Sequence, residues 1–222
     1  MKNVRIAKKV LSDNDRLAAD LRRQFRDSGV TVVNLLSSPG SGKTRLLERT
    51  AAVLGSELSM GVIEGDLQTE RDADRVRKAG IQARQINTGG GCHLDATMVA
   101  DALQEFDLDE LDVLFIENVG NLVCPAAFDL GETHAVLLMS VTEGDDKPAK
   151  YPTAFLKADL VLLNKMDLVR MTDFSTDRFE SDLAVLRPGL DVFPVSCTTT
   201  EGLECWYDWV RLQTDNGRTD AS

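Results

Sequence analysis

The feature that most constrains the fold is the sequence SSPGSGKT at residues 37–44, which lies between an apolar run and a helical pattern. The apolar run, residues 30–36, is β-branched at its start, which is typical of a buried strand. A strand, a glycine-containing loop, Gly-Lys-Thr and a helix, in this order, are typical of a loop that holds phosphates. We therefore predict that this segment binds a nucleotide at the edge of a sheet.

The predicted phosphate ligands of this loop are Gly40, Ser41, Gly42, Lys43 and Thr44. The glycines let backbone N–H groups turn inward, and the helix N-terminus adds positive potential. Lys43 reaches the β- and γ-phosphate oxygens as a catalytic residue, and the Thr44 hydroxyl ligates Mg²⁺. Ser37 stands where the general pattern has its first glycine. The alternative is a glycine- and serine-rich turn before a helix.

Further short apolar runs occur at residues 61–64, 81–86, 113–117, 135–141, 160–163 and 192–195. Helical patterns occur at residues 43–54, 70–79, 96–106 and 174–186, and an amphipathic helix leads the chain at residues 10–26. Strands that are apolar throughout and alternate with helices predict an α/β fold with a mostly parallel sheet covered on both faces. We predict a single three-layer domain over residues 1–213 and a disordered polar tail at residues 214–222.

The acidic composition argues against two classes of binding partner. The chain has 222 residues with 25 Lys and Arg against 36 Asp and Glu, a formal charge of −11. Nucleic acids and anionic membranes need a basic face, so we expect neither as a partner. No apolar run approaches the length of a transmembrane helix, and the four cysteines lie far apart. We expect a reduced, cytoplasmic protein.

The nucleotide base is predicted from Asn164, Lys165 and Asp167, which follow an apolar strand. The Asp167 carboxylate can accept hydrogen bonds from N1–H and the amino group of guanine, a pair that adenine lacks. Lys165 can lie over the base, and Asn164 can tie this loop to the phosphate loop. Ser196 and Cys197 end the last strand and close over the base through backbone amides. The competing interpretation of Cys197 is a small buried thiol.

Two acidic residues end strands on the same predicted edge. Asp66 and Glu117 are expected to hold Mg²⁺ or to orient the attacking water, as catalytic and metal-binding residues. Gly120 follows Glu117 in an acidic-x-x-Gly pattern whose backbone N–H senses the γ-phosphate. The alternative is a pair of solvated strand-end acids. No residue stands out as the one that positions water, so we expect slow intrinsic turnover.

A second metal site is predicted at Cys92 and His93, which lie side by side after three glycines. Thiolate and imidazole suit Zn²⁺ or Ni²⁺, and the pair needs further ligands from a second subunit, with or without Cys124. The alternative is a packed cysteine beside a surface histidine. His134 has no thiol neighbour in sequence, and we expect it to be structural or exposed. The short spacing from Gly120 to Cys124 suggests that nucleotide and metal affinities are coupled.

Together these residues resemble the nickel-incorporation GTPases that mature hydrogenases, the HypB family, over residues 10–210. The most specific segments are SSPGSGKT at 37–44, GGGCHLDA at 89–96, ENVGNLVCP at 117–125 and SVTEGDDKP at 140–148. The resemblance implies a dimerising SIMIBI-type GTPase, with Cys92, His93 and Cys124 as a Ni²⁺ or Zn²⁺ site at a GTP-dependent dimer interface. It also implies a HypA-like nickel metallochaperone and a hydrogenase large-subunit precursor as partners.

The resemblance has limits that bear on function. The chain starts with neither the Cys-rich motif nor the His-rich stretch of some family members, so the resemblance supports only the site in the GTPase domain. The related urease GTPases carry Cys-Pro-His, whereas here Cys92 and His93 are adjacent. Two rival functions are a metal chaperone in which hydrolysis is incidental and a phosphate-loop kinase. The kinase fits poorly with the sequence NKMD at residues 164–167.

Overall fold

The computed structural model describes residues 2–65, 75, 77 and 79–220, with the side chains of residues 2–8, 219 and 220 excepted. Its strands are β1 Thr31–Ser37, β2 Met60–Glu64, β3 Gln82–Gln85, β4 Val113–Glu117, β5 His134–Ser140, β6 Leu160–Asn164 and β7 Val192–Pro194. Its helices are α1 Lys2–Asp27, α2 Lys43–Leu54, α3 Ala96–Leu103, α4 Cys124–Ala127, α5 Lys147–Lys150, α6 Pro152–Lys157, α7 Thr176–Leu186 and α8 Leu203–Asp220.

The strands form one sheet in the order β3-β2-β4-β1-β5-β6-β7, and every pairing is parallel. The strands β1, β2, β4 and β6 are buried along their whole length, because helices cover both of their faces. The predicted α/β fold is therefore confirmed. Since β1 leads into the phosphate loop and lies between β4 and β5, that loop sits at the middle of the sheet edge.

Two apolar cores lie on opposite faces of the sheet. On one face α2 and α8 pack on Val33 and Leu35, and on the other α1 and α3 pack on Val32 and Leu114. A third core joins α6 and α7 to β5 and β6. Alternate residues of one strand thus serve two layers of helices, which is the three-layer arrangement expected from the sequence.

The edge strands differ from the prediction that the strands are apolar throughout. In β3, exposed and half-buried residues alternate along Gln82–Gln85, and none of the three residues of β7 is buried. A strand at a sheet edge has one neighbour and thinner helix cover, so it needs fewer apolar side chains.

The C-terminal segment also differs from the predicted tail. Residues 214–220 continue α8, where Thr214 is 1% exposed and its hydroxyl donates to Val210 O at 2.6 Å. Although this segment is mostly polar in sequence, one face of the helix packs on the sheet. Residues 221 and 222 lie outside the described residues, as does most of the helix predicted at 70–79. Among the described residues, no helix combines the length and apolar character that a membrane crossing requires.

Candidate nucleotide and metal site

The phosphate loop connects the end of β1 to the start of α2. Lys43 begins α2, is 7% exposed, and donates from Nζ to the buried Ser37 Oγ at 2.6 Å. Gly42 has φ 110°, and a Cβ added there would lie 2.6 Å from Asn164 Nδ2. A larger residue is therefore excluded both by the backbone conformation and by the contact with Asn164. Gly40 has φ 73°. The residue that replaces the first glycine of the pattern, Ser37, thus holds the lysine that would contact phosphate.

The Asn164 side chain joins the base loop to the phosphate loop. Its Nδ2 donates to Ser41 O at 2.8 Å, and its Oδ1 accepts from Cys197 N at 3.0 Å. Lys165, in the left-handed region at φ 62°, donates from Nζ to Gly40 O at 2.8 Å. The structure therefore brings the base loop at Asn164 and Lys165 and the last loop at Cys197 next to the phosphate loop, although the three are remote in sequence.

The carboxylate expected to read the base is held by a serine. Ser196 Oγ donates to Asp167 Oδ1 at 2.6 Å and accepts from the backbone N–H groups of Thr198 and Thr199. Cys197 is 3% exposed, and burial raises the pKa of its thiol to about 11. Its thiol is therefore neutral, which agrees with the small buried thiol, while its backbone N–H donates to Asn164 Oδ1 and its carbonyl accepts from Arg49 Nε at 3.1 Å.

The expected magnesium ligands meet at the ends of β4 and α2. Thr44 Oγ1 donates to Glu117 Oε1 at 3.1 Å, and Glu117 is 2% exposed. A hydroxyl and a carboxylate are hard oxygen ligands and fit Mg²⁺. Asp66 lies outside the described residues, so its predicted role has no structural account, although Gly65 N donates to Glu117 O at 2.8 Å.

The predicted switch glycine lies against the phosphate loop. A Cβ at Gly120 would be 2.9 Å from Pro39 Cα and 3.0 Å from Pro39 N, so only glycine allows this approach. The backbone that follows Glu117 is therefore in contact with the loop that would hold phosphate. This contact brings Gly120, the γ-phosphate sensor predicted from the sequence, next to the phosphate loop.

Cys92, His93 and Cys124 form one cluster in which the ligand atoms all lie within 4.8 Å of one another. Cys92 Sγ is 3.6 Å from His93 Nδ1, and Cys92 is exposed. The neighbouring Cys124 thiol and partial burial raise the pKa of Cys92, and burial lowers the pKa of His93. Two thiols and an imidazole fit Zn²⁺ or Ni²⁺, and they leave a position open in a four-coordinate shell.

Sequence reasoning missed the residues that support this cluster. Phe128 stacks on His93 with 3.8 Å between ring centroids, and Asn121 Nδ2 donates to Cys92 O at 3.4 Å. Asn118 Oδ1 accepts from Leu94 N at 3.3 Å. Both asparagines lie in the segment ENVGNLVCP, one of the motifs recognised in the sequence, whereas Phe128 lies in no motif.

His134 is separate from this cluster. It begins β5, its Nδ1 is 3.8 Å from Asp159 Oδ2, and its ring meets Trp209 edge-on at 5.2 Å. Burial lowers the pKa of His134. These contacts agree with the structural role expected from the sequence.

Comparison with known proteins gives a consistent assignment. The sequence matches the family described as CobW/HypB/UreG, nucleotide-binding domain, over residues 31–194. The hydrogenase maturation factor HypB of Rhizobium leguminosarum bv. viciae is 52% identical over 209 residues, which cover 94% of this chain and 70% of that protein.

Solved structures show the same likeness. HypB from Helicobacter pylori in complex with nickel has a TM-score of 0.87 and 42% identity, and the match covers 93% of this chain and 97% of that one. HypB from Archaeoglobus fulgidus has a TM-score of 0.86 and 42% identity, over 92% and 100% of the two chains. The signal recognition particle receptor FtsY of Elizabethkingia anophelis, with a TM-score of 0.56 and 14% identity over 87% and 71%, shares the fold alone, the SIMIBI type of phosphate-loop NTPase.

Proposed function

The chain belongs to the HypB family, within the CobW/HypB/UreG nucleotide-binding domains, and from this premise we propose that it is a GTP-hydrolysing metallochaperone. In this proposal, GTP-dependent dimerisation is coupled to insertion of nickel into a hydrogenase precursor. One observation carries the proposal: the segment whose Gly120 contacts the phosphate loop goes on to supply Cys124 to the thiol and imidazole cluster. Nucleotide and metal therefore act on one short stretch of backbone.

The nucleotide we propose is GTP with Mg²⁺. Backbone N–H groups of residues 40–44 and Lys43 would hold the phosphates, and Thr44 and Glu117 would hold Mg²⁺, together with Asp66. When bound, Mg²⁺ supplies charge neutralisation to the phosphates. The Asp167 carboxylate, oriented by Ser196, would select guanine.

The metal we propose as cargo is Ni²⁺, with Zn²⁺ as a competitor for the same ligands. The cluster is exposed at Cys92, and the adjacent Val123 is 59% exposed. An open coordination position beside an exposed apolar residue suits a second copy of the chain, which would complete the shell. We propose that a HypA-like metallochaperone delivers nickel and that a hydrogenase large-subunit precursor receives it, in the cytoplasm.

We also propose that intrinsic hydrolysis is slow. Glu117 hydrogen-bonds to the expected magnesium ligand Thr44, which suits metal binding better than positioning of water. Fast GTP hydrolysis in a dilute sample without partners would contradict this.

The test of the proposed function measures metal stoichiometry and oligomeric state with GDP and with a non-hydrolysable GTP analogue. We expect the wild type to form a metal-bound dimer with the analogue, and Cys92→Ala to lose the metal. Cys205→Ala is the matched control, since Cys205 is an exposed cysteine on α8. A wild type that stays monomeric and binds metal equally in both nucleotide states would refute the proposal.

The rival metal chaperone, in which hydrolysis is incidental, is separated by a transfer experiment. Nickel transfer to a chelating acceptor that proceeds as fast with the analogue as with GTP would favour the rival. The phosphate-loop kinase is disfavoured by the contacts of Asn164 and Asp167, which support a loop that would bind guanine in this proposal.

A further inference from the structure

Asn118 lies between the expected magnesium ligand Glu117 and the loop that carries Cys92 and His93. It is fully buried, and its Oδ1 accepts from Leu94 N at 3.3 Å and from Val119 N at 2.9 Å. One side-chain oxygen thus receives a backbone N–H from the metal loop and another from the switch segment, residues 118–124. The two segments share this acceptor.

The orientation of the Asn118 amide is fixed by a chain of hydrogen bonds through β1. Its Nδ2 donates to Asn34 Oδ1 at 3.2 Å, and Asn34 Nδ2 donates to Glu132 Oε1 at 3.0 Å. A carboxylate that is paired with Lys157 Nζ at 2.8 Å can only accept, so each donor in the chain has one possible direction. A flipped Asn118 would turn its NH₂ toward two N–H groups, and it is excluded for that reason.

The same chain returns to the metal cluster at its other end. Lys157 Nζ also donates to Phe128 O at 2.5 Å, and the Phe128 ring stacks on His93. The metal loop is therefore held at Leu94 by Asn118 and at His93 by Phe128. Both contacts lead to Asn34, in the strand that continues into the phosphate loop.

The Leu94 side chain anchors the metal loop near the sheet edge where the nucleotide is expected to bind. Its side chain is fully buried, and a Cβ added to Gly65 would lie 2.7 Å from Leu94 Cδ1. Gly65 directly follows β2 and hydrogen-bonds to Glu117 O. A displacement of the ends of β2 and β4 would therefore act on Leu94 through both its backbone and its side chain, since packed cores do not deform continuously.

We propose that Asn118 is the positioning residue that makes the Cys92–His93 loop follow the switch segment, so that nucleotide state acts on all three metal ligands and not on Cys124 alone. This inference rests on the proposed function and specifies how its metal site is regulated. Asn118 contacts neither metal ligand side chains nor phosphate in this account. It transmits a shift of the switch backbone to Leu94 N, next to His93.

The test compares nickel dissociation constants measured with GDP and with a non-hydrolysable GTP analogue, using Ni²⁺ alone in competition with a chelating dye. We expect the ratio of the two constants in the wild type to differ from one by about fivefold or more, the lower range of allosteric coupling. In Asn118→Ser the hydroxyl is too short to reach Leu94 N, so the ratio should fall to within about twofold of one.

Asn14→Ser is the matched control. Asn14 Oδ1 accepts at 2.9 Å from the N–H of Ala96, the first residue of α3, but it does so from α1, which is part of neither the switch segment nor the phosphate loop. We expect both nickel constants of this variant to change by one factor, which leaves the ratio as in the wild type. Asn34→Leu is the second variant, because it removes the acceptor of Asn118 Nδ2 without touching the switch backbone, and it should also lower the ratio. GDP affinity within about threefold of the wild type shows that a variant is folded.

The outcomes separate this inference from the proposed function. A wild-type ratio of one refutes the proposed coupling and the inference with it. A wild-type ratio well away from one that is retained in Asn118→Ser and Asn34→Leu overturns the role of Asn118 and leaves the proposed function standing. A collapse of the ratio in Asn14→Ser as well would assign the effect to loop support in general, and it would also overturn the inference.

Discussion

Single side chains in this protein hold several loops at once. Asn164 bonds to the phosphate loop at Ser41 and to the last loop at Cys197, while Asn118 bonds to the metal loop and to its own switch segment. Asparagine suits such positions because one amide offers an acceptor and two donors. Since both residues are buried, a lost bond leaves an unpaired group, and geometry at these sites is therefore strongly determined.

Asp167 is the residue on which base selection should depend. We expect Asp167→Asn to weaken GTP binding by roughly 1.5–3 kcal/mol, or about 10- to 150-fold, because hydrogen bonds to a charged acceptor are lost. The same change should strengthen binding of xanthosine triphosphate, whose base offers an acceptor to the new amide. Equilibrium binding of both nucleotides measures this. Asp173→Asn, at an exposed acid in the same region, is the control, and an unchanged base preference in Asp167→Asn would count against the assignment.

Gly120 is the residue on which γ-phosphate sensing should depend. In Gly120→Ala the new Cβ would lie 2.9 Å from Pro39 Cα, so the switch segment or the phosphate loop must move. We expect the affinity for a non-hydrolysable GTP analogue to fall by roughly 1–3 kcal/mol, the usual cost of overpacking, with a smaller loss for GDP. Titration of both nucleotides checks this. Equal losses for the two would show that Gly120 supports the loop without sensing the γ-phosphate.

At the scale of elements, much of the central architecture could be predicted, because buried parallel strands are apolar on both faces. The predicted helix at residues 43–54 has the observed bounds, and so does the strand Val113–Glu117. The edge strand Gln82–Gln85 was harder, since partial burial gives a mixed pattern. The helix expected at residues 174–186 begins at Thr176, because Ser175 Oγ caps it by accepting from Arg178 N.

In the candidate site too, some features could be predicted from the sequence and others could not. Residues within one loop, such as Gly42 and Lys43, could be predicted from local order, because strand, loop and helix are consecutive. The meeting of Cys124 with Cys92 and His93 depends on how β4 pairs with β2, and sequence spacing does not encode that pairing. The bonds from Asn118 to Asn34 and on to Glu132 depend on the neighbouring positions of β1 and β4, so they appear only in the fold.

The C-terminal helix offers a prediction at this scale. Removing residues 214–222 should lower the free energy of unfolding by about 1–3 kcal/mol, because Thr214 is buried and Gly217 packs closely on Thr31. Urea denaturation measures the loss. A chain ending at residue 218 keeps both contacts and is the control. If the chain ending at residue 213 were as stable as the full chain, the segment would contribute no packing.

At the scale of the whole molecule, the predicted nucleotide site and the metal cluster lie at the same edge of the sheet. Parallel strands bring all of their carboxyl ends to the same edge, so β1 supplies the phosphate loop, β4 supplies Glu117, and β6 supplies Asn164. The metal cluster lies beside this edge, where Cys124, on the segment after β4, meets Cys92 and His93, on the loop after β3. Coupling between nucleotide and metal then needs no long path through the protein, only a shift of a few residues between Glu117 and Cys124.

Stability toward acid is a whole-molecule property that His134 should influence. Burial lowers the pKa of His134 from its ordinary value of 6.5, although Asp159 opposes this, and burial lowers the pKa of His93 as well. Below about pH 6.5 the unfolded chain therefore binds protons that the folded chain does not, so the free energy of unfolding falls as the pH falls through this window. The net charge of −11 acts in the opposite sense, because acidification reduces repulsion in the folded chain.

A comparison of variants separates these two effects. His134→Gln removes the half-buried imidazole and leaves the net charge near neutral pH almost unchanged. Between about pH 7.5 and about pH 5.5, with metal chelated, we expect the urea midpoint of the wild type to fall further than that of His134→Gln. Repulsion changes almost equally in both proteins, so the difference between them reports the histidine. Equal shifts of the two midpoints would mean that His134 is protonated in the folded protein as readily as in the unfolded chain.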